Sequence, residues 1–242
     1  MAKNRYLNFG MKSGLEKILP GVKIHVLGPP TIEQSGDVRQ QRAHDEAEFW
    51  HLQALGGRHF MALGKSPFPR AAKYSSFPPH ARWIVPRLRT IRREQLLEIV
   101  RSLDEVLNNT SVILLFEAGS KKLLFPGDAQ IENWSYALKK APNKEAIRDL
   151  LAQVDLYKVG HHGSLNATPK TLWNLFKRKK DSPSPTRLRS VVSTMSGKHG
   201  STDNDSEVPR GKLVDALKLE SDFFTTQDLK GVKLKKVFTI PL

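Results

Sequence analysis

Asp155–Ser164 reads DLYKVGHHGS, and the interpretation of the whole chain turns on this run. Leu156, Tyr157 and Val159 are apolar and β-prone, which predicts a short buried strand. Two adjacent histidines, a glycine and a serine follow at once. Imidazole nitrogens bind metal ions and move protons, but either ring can equally satisfy a backbone carbonyl. The rest of the chain must decide between these roles.

Two other stretches have the same layout, a polar loop directly behind an apolar run. LLFPGDA puts Asp128 just past a strand, and VVSTMSGKHGS puts His199 there. In α/β proteins such strand ends gather at one rim of the sheet, where ligands bind. Aspartate and histidine are the oxygen and nitrogen donors that suit zinc, manganese or iron. Each signal has an ordinary counterpart: Gly-Asp behind a strand closes a turn, and His199 lies in a polar, Gly-rich loop. The segment HDEAEFWH spaces His44, Glu48 and His51 along one helical face. A polar helix face explains that spacing more simply than a metal does.

Further out, the pattern predicts mixed α/β architecture. GVKIHVL (residues 21–27) reads as a strand stopped by Gly28-Pro29-Pro30. Residues 31–90 form an irregular insertion with one helix, closed by Gly56-Gly57, and a Pro-rich loop. From residue 91 the elements sharpen. A helix carries Leu96, Val100, Leu103 and Leu107, and SVILLFEAGSKKLLFPGD reads as a hairpin turning at Gly119-Ser120. The first hairpin strand is continuously apolar, which predicts cover on both faces. Helices are expected at residues 130–140, at 144–153 with Asn143 as N-cap, from Pro169, and over KLVDALK. LRSVVSTM reads as a strand, and the tail KLKKVFTIPL as a final one.

Composition narrows the function. The chain has 242 residues with 39 Lys+Arg against 24 Asp+Glu, a formal charge of +15, and no cysteine. Disulfides and thiolate ligands are thereby excluded. Five arginines lie between Arg82 and Arg93, KRKK spans Lys177–Lys180, and KGVKLKK lies near the end. Such a surface attracts polyanions, nucleic acid included. No apolar run is long enough to cross a bilayer and the first ten residues hold no apolar signal core, so a cytoplasmic location without a membrane partner is expected.

NNTSVILLFEAGSKKLLFPGDAQ followed by VDLYKVGHHGS resembles the C-terminal half of metallo-β-lactamase-fold hydrolases. The likeness is to the branch that includes the hydrolase domain of DNA-uptake competence proteins, and it covers about residues 108–218. It implies a partial αββα sandwich with a mixed sheet, formed by residues 91–242. Residues 1–30 would then supply a strand and lead-in from the middle of the fold. In that family the aspartate of the GD motif bridges one or two divalent cations, here Asp128. A later histidine ligates one of them, here His161 or His162, and a late histidine near the substrate matches His199. Ser164 could donate a hydrogen bond to a substrate anion. The implied cofactor is zinc, which would activate a water for attack on an ester, plausibly a phosphodiester.

The family's His-x-His-x-Asp-His motif matches none of the eight histidines. The expectation is therefore a truncated or split hydrolase with half a metal site, weak zinc binding, and a complementary N-terminal half as a partner. An apolar sheet face left without its partner layer predicts poor solubility or oligomerisation. The alternatives from other classes are a non-enzymatic basic nucleic-acid-binding module and an inactive degenerate fragment.

Overall fold

A computed structural model describes residues 6–39, 45, 47–50, 108–195, 207–229 and 235–241. All of them belong to one compact unit, Met1–Leu52 together with Glu105–Leu242. The second unit, Gln53–Asp104, lies outside the described residues, as do the Arg82–Arg93 cluster and the expected helix through Leu107.

The unit is α/β, built on a six-stranded mixed sheet whose spatial order follows the chain. The strands are β1 (Val22–Gly28), β2 (Ile113–Ala118), β3 (Lys121–Phe125), β4 (Leu156–Lys158), β5 (Arg189–Val192) and β6 (Asp222–Thr225). β1, β2 and β3 pair antiparallel, and β3 through β6 run parallel. The hairpin turns at Gly119-Ser120 as its sequence predicts. Parallel strands need crossovers, which here carry the helices. Helix α1 (Ile131–Ser135) continues into a π-helical turn at Tyr136–Lys140, and α2 is Lys144–Ala152. Then come α3 (Lys170–Leu175) and α4 (Gly211–Glu220).

One face of the sheet makes the core. Leu115, Leu124, Tyr157 and Val192 are buried with Trp134, Leu138, Ile147, Leu151, Leu172, Trp173, Leu213 and Leu217 from the helical segments. The opposite face carries Leu114, Phe116, Leu123, Leu156, Val191 and Phe224, all half-buried, and Phe125 at 39 % exposed. β2 is thus deeply covered on one face and only partly on the other, which is less cover than its unbroken apolar run suggests.

Several local expectations give way to packing. Asn143 sits at the start of α2, but its side chain makes no cap bond. Pro169 is the residue before α3, not the first inside it. Residues 47–50 form turns and a bend, because the Asp45 carboxylate accepts from the N–H groups of Ala47 and Glu48. The remainder of that expected helix lies outside the described residues. The last strand is Asp222–Thr225 and not the tail, whose residues 235–241 are coil. The tail is held by side chains: Phe238 stacks edge-on against Phe224 at 5.2 Å, with the Arg189 guanidinium 5.0 Å from its ring. Among the described residues no helix is long and apolar enough to cross a membrane.

Candidate functional site

The C-terminal ends of β3, β4 and β5 open on one rim because the strands are parallel. Asp128 follows β3, His161 and His162 follow β4, and Ser193 follows β5. Two hydrogen bonds tie these loops together. The His161 N–H donates to the Gly127 carbonyl at 3.1 Å, and His162 Nδ1 lies 2.6 Å from the Ser193 carbonyl. The first bond requires a glycine at 160. A Cβ there would stand 3.0 Å from the Gly127 oxygen and 3.1 Å from Pro126 Cγ.

The backbone of this loop is unusual. His161 (φ 40°), His162 (φ 54°) and Gly163 (φ 81°) lie consecutively in the left-handed region. A residue with a Cβ gives up about 1 kcal/mol or more there. Strain of this kind collects at working sites, which marks this turn as a candidate site. The turn is closed by Gly163 N–H to Gly160 O at 2.8 Å and Ser164 N–H to His161 O at 2.9 Å.

Side-chain partners define the imidazoles. A carbonyl only accepts, so His162 donates its Nδ1–H to Ser193, and in the neutral ring the lone pair is then on Nε2. Metal-ligating histidines commonly direct their other ring N–H to a backbone carbonyl in the same way. His161 is half-buried, with Nδ1 3.0 Å from the Ser164 hydroxyl, which itself stands 3.4 Å from Asn166 Oδ1. Ser164 therefore orients His161. Asp128 is exposed at the tip of its loop.

Two features of this region lie outside the predicted donor set: Lys158, whose place on the strand favours a structural role over a phosphate contact when read from sequence, and a group of buried amides. Lys158 ends β4 with a half-buried side chain, and its ammonium donates to the Val159 carbonyl at 3.0 Å. Burial pushes that ammonium below the ordinary lysine range, and the Asp128 carboxylate pulls it back up. Among the described residues, the side-chain amides of Asn109, Gln130 and Asn133 are buried without a hydrogen-bond partner, the last two within five residues of Asp128. Such burial costs about 1–3 kcal/mol per group. An amide in or before a short helix gives no sequence signal of burial, so only packing reveals it.

The remaining candidates fall elsewhere. His199 lies outside the described residues, as do His44 and His51. Glu48 is engaged structurally, bonded to Lys139 and Thr171. Among the described residues no three His, Asp or Glu side chains stand close enough together to hold a metal ion. Part of the basic run is likewise structural. Arg178 pairs with Asp155 at 3.4 Å, and Lys179 pairs with Glu220 at 2.6 Å.

Compared with known proteins, the chain matches no family model, no curated protein and no solved structure.

Proposed function

We propose that this chain carries half of a metal-dependent hydrolase site of the metallo-β-lactamase type, acting on a phosphate ester in the cytoplasm. One observation carries the proposal most: the 3.1 Å bond from His161 N–H to Gly127 O, which draws the aspartate loop and the histidine loop onto one rim. The donor chemistry fits a borderline cation such as zinc, with a carboxylate from Asp128 and nitrogen from His161 or His162. His162 is the better-prepared ligand, because its Nδ1–H is already directed to Ser193 O and its Nε2 bears the lone pair. Two or three ligands make a weak site, and the His-x-His-x-Asp-His motif of a complementary half would complete it. Bound zinc would supply Lewis acidity towards an ester centre. This chain's own residues hold the ion, fix the imidazole tautomer and, through Ser164, orient the His161 ring.

Metal analysis of the purified chain after exposure to zinc tests this. The wild type is expected to retain zinc. Asp128→Ala and His162→Ala are expected to weaken binding by more than the ~10–100-fold typical of losing an outer-shell partner. His161→Ala separates the two histidines. Equal zinc content in the wild type and all three variants would overturn the ligand assignment.

The charge of +15 favours a second reading, a basic nucleic-acid-binding module. A gel shift with a steep salt dependence, unchanged by Asp128→Ala, would select it.

A further inference from the structure

The rim holds a cation of its own. Lys158 is the last residue of β4, three positions before His161. Tyr157 points into the core, so by the alternation of the strand Lys158 lies on the opposite face, level with Val191 of β5. Its ammonium donates to the Val159 carbonyl just past the end of β4, within range of the Asp128 charge.

This lysine differs from the other low-exposure lysines of the sheet. Lys121 and Lys122 on the adjacent strand each stand within ion-pair distance of a carboxylate. Among the described residues Lys158 has no carboxylate at that distance. The Asp128 charge acts on it from further away. Of its three N–H donors, one is directed at Val159 O. A half-buried ammonium with donors remaining suits an anion rich in acceptor oxygens, and lysine serves phosphate in this way as a point charge.

We propose that Lys158 is the phosphate-binding residue of this rim, its ammonium receiving a phosphoryl oxygen of the ligand beside the Asp128 loop. The proposal names the substrate class of the hydrolase site and rests on that reading only for the reaction. Phosphate binding itself needs no metal. It also gives Lys158 a task distinct from the imidazoles: the lysine recognises charge, whereas the histidines orient or ligate.

The test uses the full chain stripped of metal, titrated with inorganic phosphate and followed by phosphorus NMR. Lys158→Met is expected to weaken phosphate binding about tenfold or more, as losing a charge-assisted hydrogen bond does. Lys158→Arg should stay close to wild type, and Lys177→Met, on the exposed basic run, should change nothing. A second readout needs no variant. Phosphate should protect Lys158 from acetylation in the wild type, seen by peptide mass mapping, while acetate at the same ionic strength should not. Unchanged binding in Lys158→Met, or no protection of Lys158, overturns the proposal. The zinc measurement remains separate. Loss of zinc binding with the phosphate effect intact would sink the hydrolase reading and leave this one standing.

Discussion

Gly163→Ala is expected to lower stability by about 2–4 kcal/mol, from two additive causes. The first is the backbone, because φ at this position is 81°, where a Cβ is strained. The second is space. The added Cβ would stand 2.7 Å from Pro209 Cβ, closer than carbon atoms approach, with Pro209 Cα at 3.4 Å behind it. Neither side yields easily. Pro209 leads directly into α4, and the Arg210 N–H is bonded to the Gly163 carbonyl at 2.9 Å. The glycine is thus where the histidine turn docks on α4, which explains why HHG needs its third residue. Thermal denaturation should show a drop in midpoint of about 5–15 °C. Gly36→Ala, with nothing within 4 Å of the added carbon, serves as the control and should be near neutral. A Gly163→Ala protein as stable as the wild type would mean that the left-handed turn is not held as described.

Glu48→Ala should also be damaging, at about 1–3 kcal/mol, since it removes a buried carboxylate that accepts three hydrogen bonds, although its Lys139 partner is half-exposed. The Glu48 carboxylate accepts from Lys139 Nζ at 2.9 Å, from the Thr171 N–H at 2.9 Å and from the Thr171 hydroxyl. Its own carbonyl receives the Lys170 N–H at 3.0 Å, and Trp50 Nε1 adds a bond to Thr168 O at 2.6 Å. Pro169, before α3, offers no side-chain acceptor, so a glutamate 123 residues away caps the first turn. Glu48→Gln keeps the shape and should cost less.

The same contacts make stability depend on pH. Burial alone would push the Glu48 carboxyl up, but bonds from Thr171 and Lys139 outweigh it and hold the carboxyl below its ordinary 4.5. A depressed folded value means that the stabilisation is fully present above 4.5 and is lost as pH falls through the lower folded value. Glu48→Gln should flatten that acid limb of the stability curve. An unchanged limb would show that Glu48 is not the group responsible.

How much was legible in the sequence depends on the range of each interaction. The hairpin at Gly119-Ser120, the strand at Leu156 and the helix after Asn143 follow from local alternation, turn residues and a helical apolar stripe. β6 escaped notice because Asp222–Thr225 is four residues long and only Ser221 separates it from the end of α4. The tail KLKKVFTIPL has a better strand pattern, yet its residues 235–241 make side-chain contacts where a strand would make a ladder. The prepared tautomer of His162, the unpartnered amides and the half-buried ammonium of Lys158 left no trace in residue spacing.

By itself the sequence placed a polar loop behind each of three strands and marked Asp128, His161 and His162 as the candidate donors there. Periods of 2 and 3.6 residues and turn chemistry are local, so they can be read along the chain. Only the tertiary structure decided that the Asp128 and His161 loops share a hydrogen bond, that the left-handed turn through both histidines sets Gly163 against Pro209, and that Glu48 caps a helix far away in the chain. Those outcomes depend on burial, on dihedral sign and on contacts between distant residues, and all three are settled by packing.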